Sequence, residues 1–170
     1  MAVTGLKQTS STIAIGFDAA ETAANTFTQI SVDLNLSPLD REVFVVTAIN
    51  LDPTPPDAIG GVNTRVNTAL STTSQTAVPN LDSSNCLSTA NVFFRGAGLV
   101  DSVAVYATMA EQPPATLDYL GIIATNDFFV QVEGDQNLSA KSVFGKLYGY
   151  RARASADIYA ALVQSEVLSA

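Results

Sequence analysis

The residues best suited to chemistry lie late in the chain, where cationic side chains alternate with tyrosines. Lys146, Tyr148 and Tyr150 recur at every second position, and Arg151 and Arg153 take alternate positions beyond them. On an extended strand this spacing puts the first three on one face and the two arginines on the other. Such a face can bind an anionic or stacking ligand, including nucleic acid. Because the chain has sixteen acidic and eight basic residues, pairing with carboxylates is the favoured prediction.

Carboxylates in turn-like segments form a second candidate set. Asp52 and Asp57 flank a run of prolines, and Glu133 and Asp135 flank a glycine. Two carboxylates at a fixed separation can hydrolyse a glycosidic bond, but that separation does not follow from the sequence. Their spacing does not match an EF-hand loop, and the glycines at 60–61 lack phosphate-loop spacing. We expect no cofactor and no dedicated metal site, and calcium at these loops remains an open alternative.

The commonest catalytic side chains are missing. The chain has no histidine, no tryptophan and a single cysteine, Cys86. General acid–base catalysis near neutral pH most often uses histidine, and zinc sites are built from cysteine and histidine. Without a histidine to activate it, Cys86 is predicted to be a small buried side chain. The sequence therefore predicts a protein that is not an enzyme, with no catalytic residue.

The composition indicates a surface that neighbouring molecules cover. Charged residues make up 14% of the 170 positions, against roughly 25% in a typical domain, and mean hydropathy is +0.24. Large apolar patches are rare on monomers, so contact with further subunits is favoured over a large core below a Ser/Thr/Asn surface. The net charge of −8 argues against direct nucleic-acid binding, because such binding relies on basic surfaces.

Targeting and domain signals are few. No apolar run reaches the eighteen or so residues of a membrane span, and the first residues lack the pattern of a signal peptide. The length suits one domain. We therefore predict a single β-sandwich domain over residues 1–170, with no membrane span.

Short alternating apolar runs predict strands. The clearest is Phe27–Leu36, in which every second residue from Ile30 onward is apolar and the residues between are polar. Glu42–Leu51 is apolar on both faces, which predicts a central strand covered on both sides. Further strands are predicted at Thr12–Phe17, Thr64–Leu70, Leu87–Arg95, Ser102–Met109, Leu117–Ala124, Asp127–Glu133 and Val143–Ala154.

Two segments differ from this pattern. Ala58–Ser84 is rich in Gly, Asn, Thr and Ser and is the most loop-like part, where we expect contacts. From Ser155 to Leu168 apolar residues recur three and four apart, which predicts a short amphipathic helix with Ser155 as N-cap. A final strand is the alternative. With so many short strands, the chain is predicted to be an all-β antiparallel sandwich.

Among sandwiches, a single jelly roll is favoured over an immunoglobulin-like topology, because the cysteine pair and core tryptophan typical of the latter are absent. In length, strand series, Ser/Thr/Ala/Asn-rich surface and terminal run Lys146–Ala154, the chain resembles single jelly-roll capsid proteins of viruses. This resemblance is one of architecture and covers nearly the whole chain. It differs from many small RNA-virus shell proteins in lacking a basic arm, since Lys7 is the sole cation among the first forty residues.

The resemblance implies a virion structural protein whose copies assemble, with other capsid proteins, into an icosahedral shell. A decoration protein on a preformed shell, and a module that binds carbohydrate or a receptor through tyrosines, are the alternatives. For assembly we predict contacts in residues 1–26 and 155–170. The candidate contact residues are Tyr159, Leu162, Val163, Val167, Arg151 and Arg153.

Overall fold

The computed structural model describes residues 5–96 and 117–169, which form nine strands and one α-helix. The predicted strand at Ser102–Met109 lies outside these residues, whereas every other predicted strand is present. The helix at the predicted position confirms that interpretation over a final strand. The elements are β1 (Leu6–Gln8), β2 (Ile13–Ala20), β3 (Thr28–Asp33), β4 (Glu42–Pro53), β5 (Thr64–Ser71), β6 (Cys86–Phe94), β7 (Gly121–Ile123), β8 (Asp127–Asp135), β9 (Ser142–Ala154) and α1 (Ala156–Leu168).

The strands form two antiparallel sheets. One has the order β2-β9-β4-β7, with β1 continuing the line of β2 along the same edge of β9, and the other has the order β3-β8-β5-β6. Apart from the β5–β6 pair, each described strand from β2 onward is followed by a strand of the other sheet. The all-β sandwich predicted from the sequence is confirmed.

The two sheets pack through one apolar core. Phe17 of β2 and Phe128 of β8 meet edge to face across it, with ring centroids 5.6 Å apart. Within β9, residues 143 and 147 point into this core, as strand alternation requires. The fully buried core side chains include Phe44, Val46, Val66, Leu70, Ile123, Phe128, Val130, Val132, Val143 and Leu147.

Strand β4 is covered on both faces, which confirms the prediction of a central strand. Its Phe44 belongs to the core between the sheets, while Val43 and Val45 face outward. Helix α1 covers that outward face with half-buried apolar side chains. Ser155 occupies the predicted N-cap position, although its side chain makes no capping hydrogen bond within the described residues.

A β-bulge interrupts the pairing of β4 with β9. The register shifts between Val46 and Ala48, and the hydroxyl of Thr47 donates to the carbonyl oxygen of Tyr148 at 3.2 Å. One inserted residue reverses which positions face inward. The core-facing positions of β4 therefore change from even numbers before the bulge to odd numbers, Ile49 and Leu51, after it.

Strand β9 passes close to β4 at Gly149, and this approach yields a stability prediction. A Cβ at Gly149 would collide with the Val45 carbonyl oxygen and the Phe44 ring. We expect Gly149→Ala to lower the free energy of unfolding by about 1–3 kcal/mol, because the packed core has no room for the methyl group.

The matched control is Gly16→Ala in β2, where an added Cβ meets nothing within 4 Å. This variant should differ from the parent by less than about 0.5 kcal/mol. Urea unfolding followed by circular dichroism measures both variants, and equal losses would contradict the assigned close approach.

Candidate interaction surfaces

The turn between β3 and β4, here called the β3–β4 turn (Ser37–Glu42), is held from within. The backbone N–H groups of Asp40 and Arg41 donate to the carbonyl oxygens of Ser37 and Pro38 at 3.2 and 3.0 Å. The Ser37 hydroxyl donates to the Asp40 carboxylate at 3.0 Å, and the Ser37 N–H donates to the carboxylate of Glu42 at 3.0 Å. A short 3-10 segment, 38–40, lies inside the turn.

Two side chains of the β3–β4 turn face solvent. Leu39 is 97% exposed, and Arg41 is exposed with a left-handed φ of 55°. Because the surrounding hydrogen bonds fix the backbone, these side chains are presented on a preorganised surface.

Both arginines predicted as contacts lie behind this turn. Arg151 forms an ion pair with Glu42 at 3.2 Å and donates to the carbonyl oxygens of residues 34–35 at 2.7 and 2.9 Å. Arg153 pairs with Asp40 at 3.3 Å. Pairing of these cations with carboxylates, predicted from the acidic composition, is confirmed for both. Their contact with a neighbouring subunit stays a prediction.

At the other end of the sandwich, the carboxylate of Asp57 joins the β4–β5 connection to the β8–β9 turn. It accepts hydrogen bonds from Lys141 Nζ at 2.6 Å and from the N–H groups of Leu138 and Ser139 at 2.8 and 3.0 Å. The Lys141 side chain is almost fully buried. Its ammonium group is the main cause that lowers the pKa of Asp57 to about 2, aided by the other donors against the effect of burial.

Further polar side chains complete this end. Asn137 exchanges two hydrogen bonds of 2.8 Å with Asn25, and its side-chain oxygen accepts the N–H of Asp57 at 2.9 Å. Buried Glu21 accepts three backbone N–H groups at 2.7–2.9 Å. These bonds fix the β8–β9 turn, at whose tip Leu138 is 81% exposed. No motif in the sequence revealed Glu21, whereas Asn137 ends the run 133–137, which is typical of a hairpin turn.

The other candidate carboxylates do not form a joint site with Asp57. Asp135 forms an exposed ion pair with Arg65 at 3.1 Å. Over residues 5–96 and 117–169, no group of three or more His, Cys, Asp or Glu side chains is placed to hold a metal ion.

An open groove of about 560 Å³ lies on the outer face of β2, β9 and β4. In β9, Phe144 pairs with Asp18 of β2 and Asp52 of β4, so a carboxylate stands on each side of its ring. Phe144 is 49% exposed. Lys146 and Tyr148 follow on the same face and line the groove, as their spacing predicted. We call these five residues the outer groove.

The candidate contact residues of α1 divide into two kinds. Tyr159, Leu162 and Val163 are half-buried against the outer face of the chain's own sheet. Val167 is 62% exposed. Contact with another subunit stays a prediction for all four, and Val167 is the one that can be changed without disturbing the packing of α1.

Buried Glu166 attaches α1 to the connection between β7 and β8. Its two carboxylate oxygens accept the N–H groups of Ala124 and Thr125 at 2.8 and 3.0 Å. Burial raises the pKa of the Glu166 carboxyl against the opposing effect of these hydrogen bonds. The helix is therefore held by polar bonds as well as by apolar packing.

The described tyrosines do not form one binding platform. Tyr119 and Tyr150 pack in the cluster beneath α1, whereas Tyr148 lines the outer groove. Tyr106 lies outside the described residues. Because the helix covers two of the tyrosines, a carbohydrate-binding platform built from all of them is disfavoured.

A solved structure titled Desmodium yellow mottle tymovirus is similar over 86% of this chain and 90% of that chain, with 14% identity and a TM-score of 0.32. No family model and no curated protein matches the chain. Among the described residues, no helix is long and apolar enough to cross a membrane.

Asp57 makes the fold sensitive to acid. Its folded pKa of about 2 lies below the ordinary value of 3.8, so its contribution to stability is present above about pH 4 and is lost as the pH falls through about 2. We expect the free energy of unfolding to fall over this interval, and Asp57→Asn to make that fall smaller.

The matched control for acid sensitivity is Asp135→Asn, in the exposed pair with Arg65. Water screens an exposed pair, so this variant should keep the parent's pH dependence. Urea unfolding at about pH 5, 3 and 2 covers the interval. A fall in Asp57→Asn as large as that of the parent would contradict the role given to Asp57.

Proposed function

We propose that this chain is a virion structural protein, a capsid subunit that assembles with copies of itself. One observation carries the proposal: large apolar side chains stand exposed on backbone that the molecule holds rigid. Leu39 and Leu138 stand on turns at opposite ends of the sandwich, each fixed by polar anchors. Single exposed leucines are ordinary. Placed on fixed turns at both ends, they lose little conformational entropy when a neighbour buries them.

We further propose that the sandwich is a single jelly roll. Between the described strands the chain crosses from sheet to sheet at nearly every step, and the orders β2-β9-β4-β7 and β3-β8-β5-β6 support an arrangement of two interlocked Greek keys. A block of this kind carries its connections at its two ends. This supports the predicted role of loops and termini as lateral contacts.

The electrostatic properties support a role away from the genome. Four cationic side chains, Arg65, Lys141, Arg151 and Arg153, form ion pairs within the chain. The net charge of −8 then disfavours contact with phosphate. The low share of charged residues reduces the cost of desolvating the surface when subunits meet. The proposed partners of this chain in the virion are copies of itself and other capsid proteins.

The first test is the mass of the purified protein in solution, measured by light scattering and supported by negative-stain imaging. Closed particles, or stable trimers, pentamers or hexamers, are the expected result. A monomer at high concentration would contradict self-assembly. It would favour a decoration protein, for which exposed leucines bind a shell made by other subunits.

A point variant tests the predicted contact through α1. Removing the helix would uncover Val43 and Val45, so Val167→Asp is the sharper change. If α1 meets a neighbour, a carboxylate at this exposed position should weaken association about tenfold or more, because it would be desolvated in the contact.

The matched control is Ala161→Asp, which adds the same charge at another exposed position on a different side of α1. It should leave association unchanged. Sedimentation velocity compares the two variants, and equal behaviour of Val167→Asp and the parent would exclude this part of α1 from the contact.

A further inference from the structure

We propose that the β3–β4 turn of one copy binds in the outer groove of a second copy. This inference rests on the self-association proposed above and assigns its contact. Leu39 would lie on the ring of Phe144, and the guanidinium of Arg41 would lie between two carboxylates. Three observations support this contact: the backbone conformation and exposed charge of Arg41, the exposure of Phe144 between two carboxylates, and the distance between the turn and the groove.

Arg41 is unusual in its backbone conformation. It ends the 3-10 segment in the left-handed region, with φ of 55°, a position where glycine or asparagine is preferred. Its N–H donates to Pro38 and its carbonyl oxygen accepts from Ala154, so both backbone groups serve the fold. The exposed guanidinium makes no ion pair with any described residue.

Phe144 is unusual because a large apolar ring stands exposed between two carboxylates. Asp18 and Asp52 lie directly opposite it on the neighbouring strands. Neither carboxylate forms an ion pair within the described part of the chain. A guanidinium that enters this site gains two charge-assisted hydrogen-bond acceptors, and the exposed part of the ring is left for Leu39.

Each surface carries one further charged side chain. Lys146 lies one row further along the groove, opposite Gly16 and Asn50. Beside Arg41, the β3–β4 turn carries the exposed carboxylate of Asp40, which is already paired with Arg153 at 3.3 Å. Among groups without an ion pair in the described residues, the turn thus offers Leu39 and the cation of Arg41, and the groove offers the ring of Phe144 and two carboxylates. This complementarity favours a second copy as the occupant over an unrelated partner.

The groove is out of reach of the chain's own turn. The turn lies where Glu42 pairs with Arg153, and Phe144 lies nine residues earlier on β9. At roughly 3.3 Å per residue, the two sites are roughly 30 Å apart. The contact must therefore join two molecules. Because turn and groove are different surfaces, the contact either repeats head to tail, which produces rings or larger assemblies, or is made twice in a two-fold dimer.

Charge reversal on each side tests the contact. The variant Arg41→Glu places a carboxylate on the turn, which the acidic groove of the parent should repel. The double variant Asp18→Lys and Asp52→Lys makes the groove basic, so it should repel Arg41 on the turn of the parent. Each change should weaken self-association at least thirtyfold, as expected when a desolvated charge pair is reversed, roughly 2 kcal/mol or more. When the two variants are mixed, association should return, because each then meets an opposite charge.

The matched control for the double variant is Asp82→Lys with Asp118→Lys, which makes the same change in net charge at exposed positions away from the groove. It should associate like the parent. Circular dichroism and urea unfolding show that all variants fold, and sedimentation velocity measures association.

The outcomes are distinguishable. If the parent assembles and both charge-reversed proteins assemble equally well, or if mixing restores nothing, this contact is wrong and the capsid proposal stands. If the parent is a monomer at high concentration, both proposals fall. Loss in each variant with recovery in the mixture supports the contact.

Discussion

The strand pair β4–β9 needs apolar cover on both faces, because Val43 and Val45 face outward while Phe44 faces the core. The second sheet covers one face, and α1 covers part of the other. Beyond the bulge at Thr47, the outer face carries charged and aromatic side chains instead of valines, and there the helix is absent. Helix α1 therefore covers one part of this sheet face, and the outer groove occupies another part. The apolar cover ends where the surface becomes available to another molecule.

The ends of the sandwich are fixed by a different kind of force. Strands that cross between sheets leave carbonyl and N–H groups unpaired at each end, and buried groups of this kind need partners. Arg151 supplies donors at one end, and the carboxylates of Glu21 and Asp57 supply acceptors at the other. These polar anchors hold the connections in place. The same anchors allow exposed leucines to stand on rigid backbone at each end.

Much of the fold could be predicted because strand alternation is a local property. The alternation in Phe27–Leu36 and the apolar run of β4 indicate directly which strand faces are buried. Arg151 and Arg153 share a face, as their spacing required. Strand β1, only three residues long, is too short for alternation to show. The outer groove depends on register, since Phe144 meets Asp18 only when β2 and β9 pair. The apolar stripe on α1 indicated that another surface covers this side of the helix. Spacing alone does not say whether that surface belongs to the sheet of the same chain or to a second subunit.

Strand β9 joins β1 and β2 on one edge to β4 on the other, and this has a consequence for synthesis on the ribosome. The earlier strands emerge long before β9 and must wait with unpaired edges, which are templates for wrong pairing. Their sheet closes only when β9 has left the exit tunnel. Until that point, a nascent chain lacks both the fixed β3–β4 turn and the complete outer groove. The order of strands thus delays completion of the β3–β4 turn and of the outer groove until late in translation.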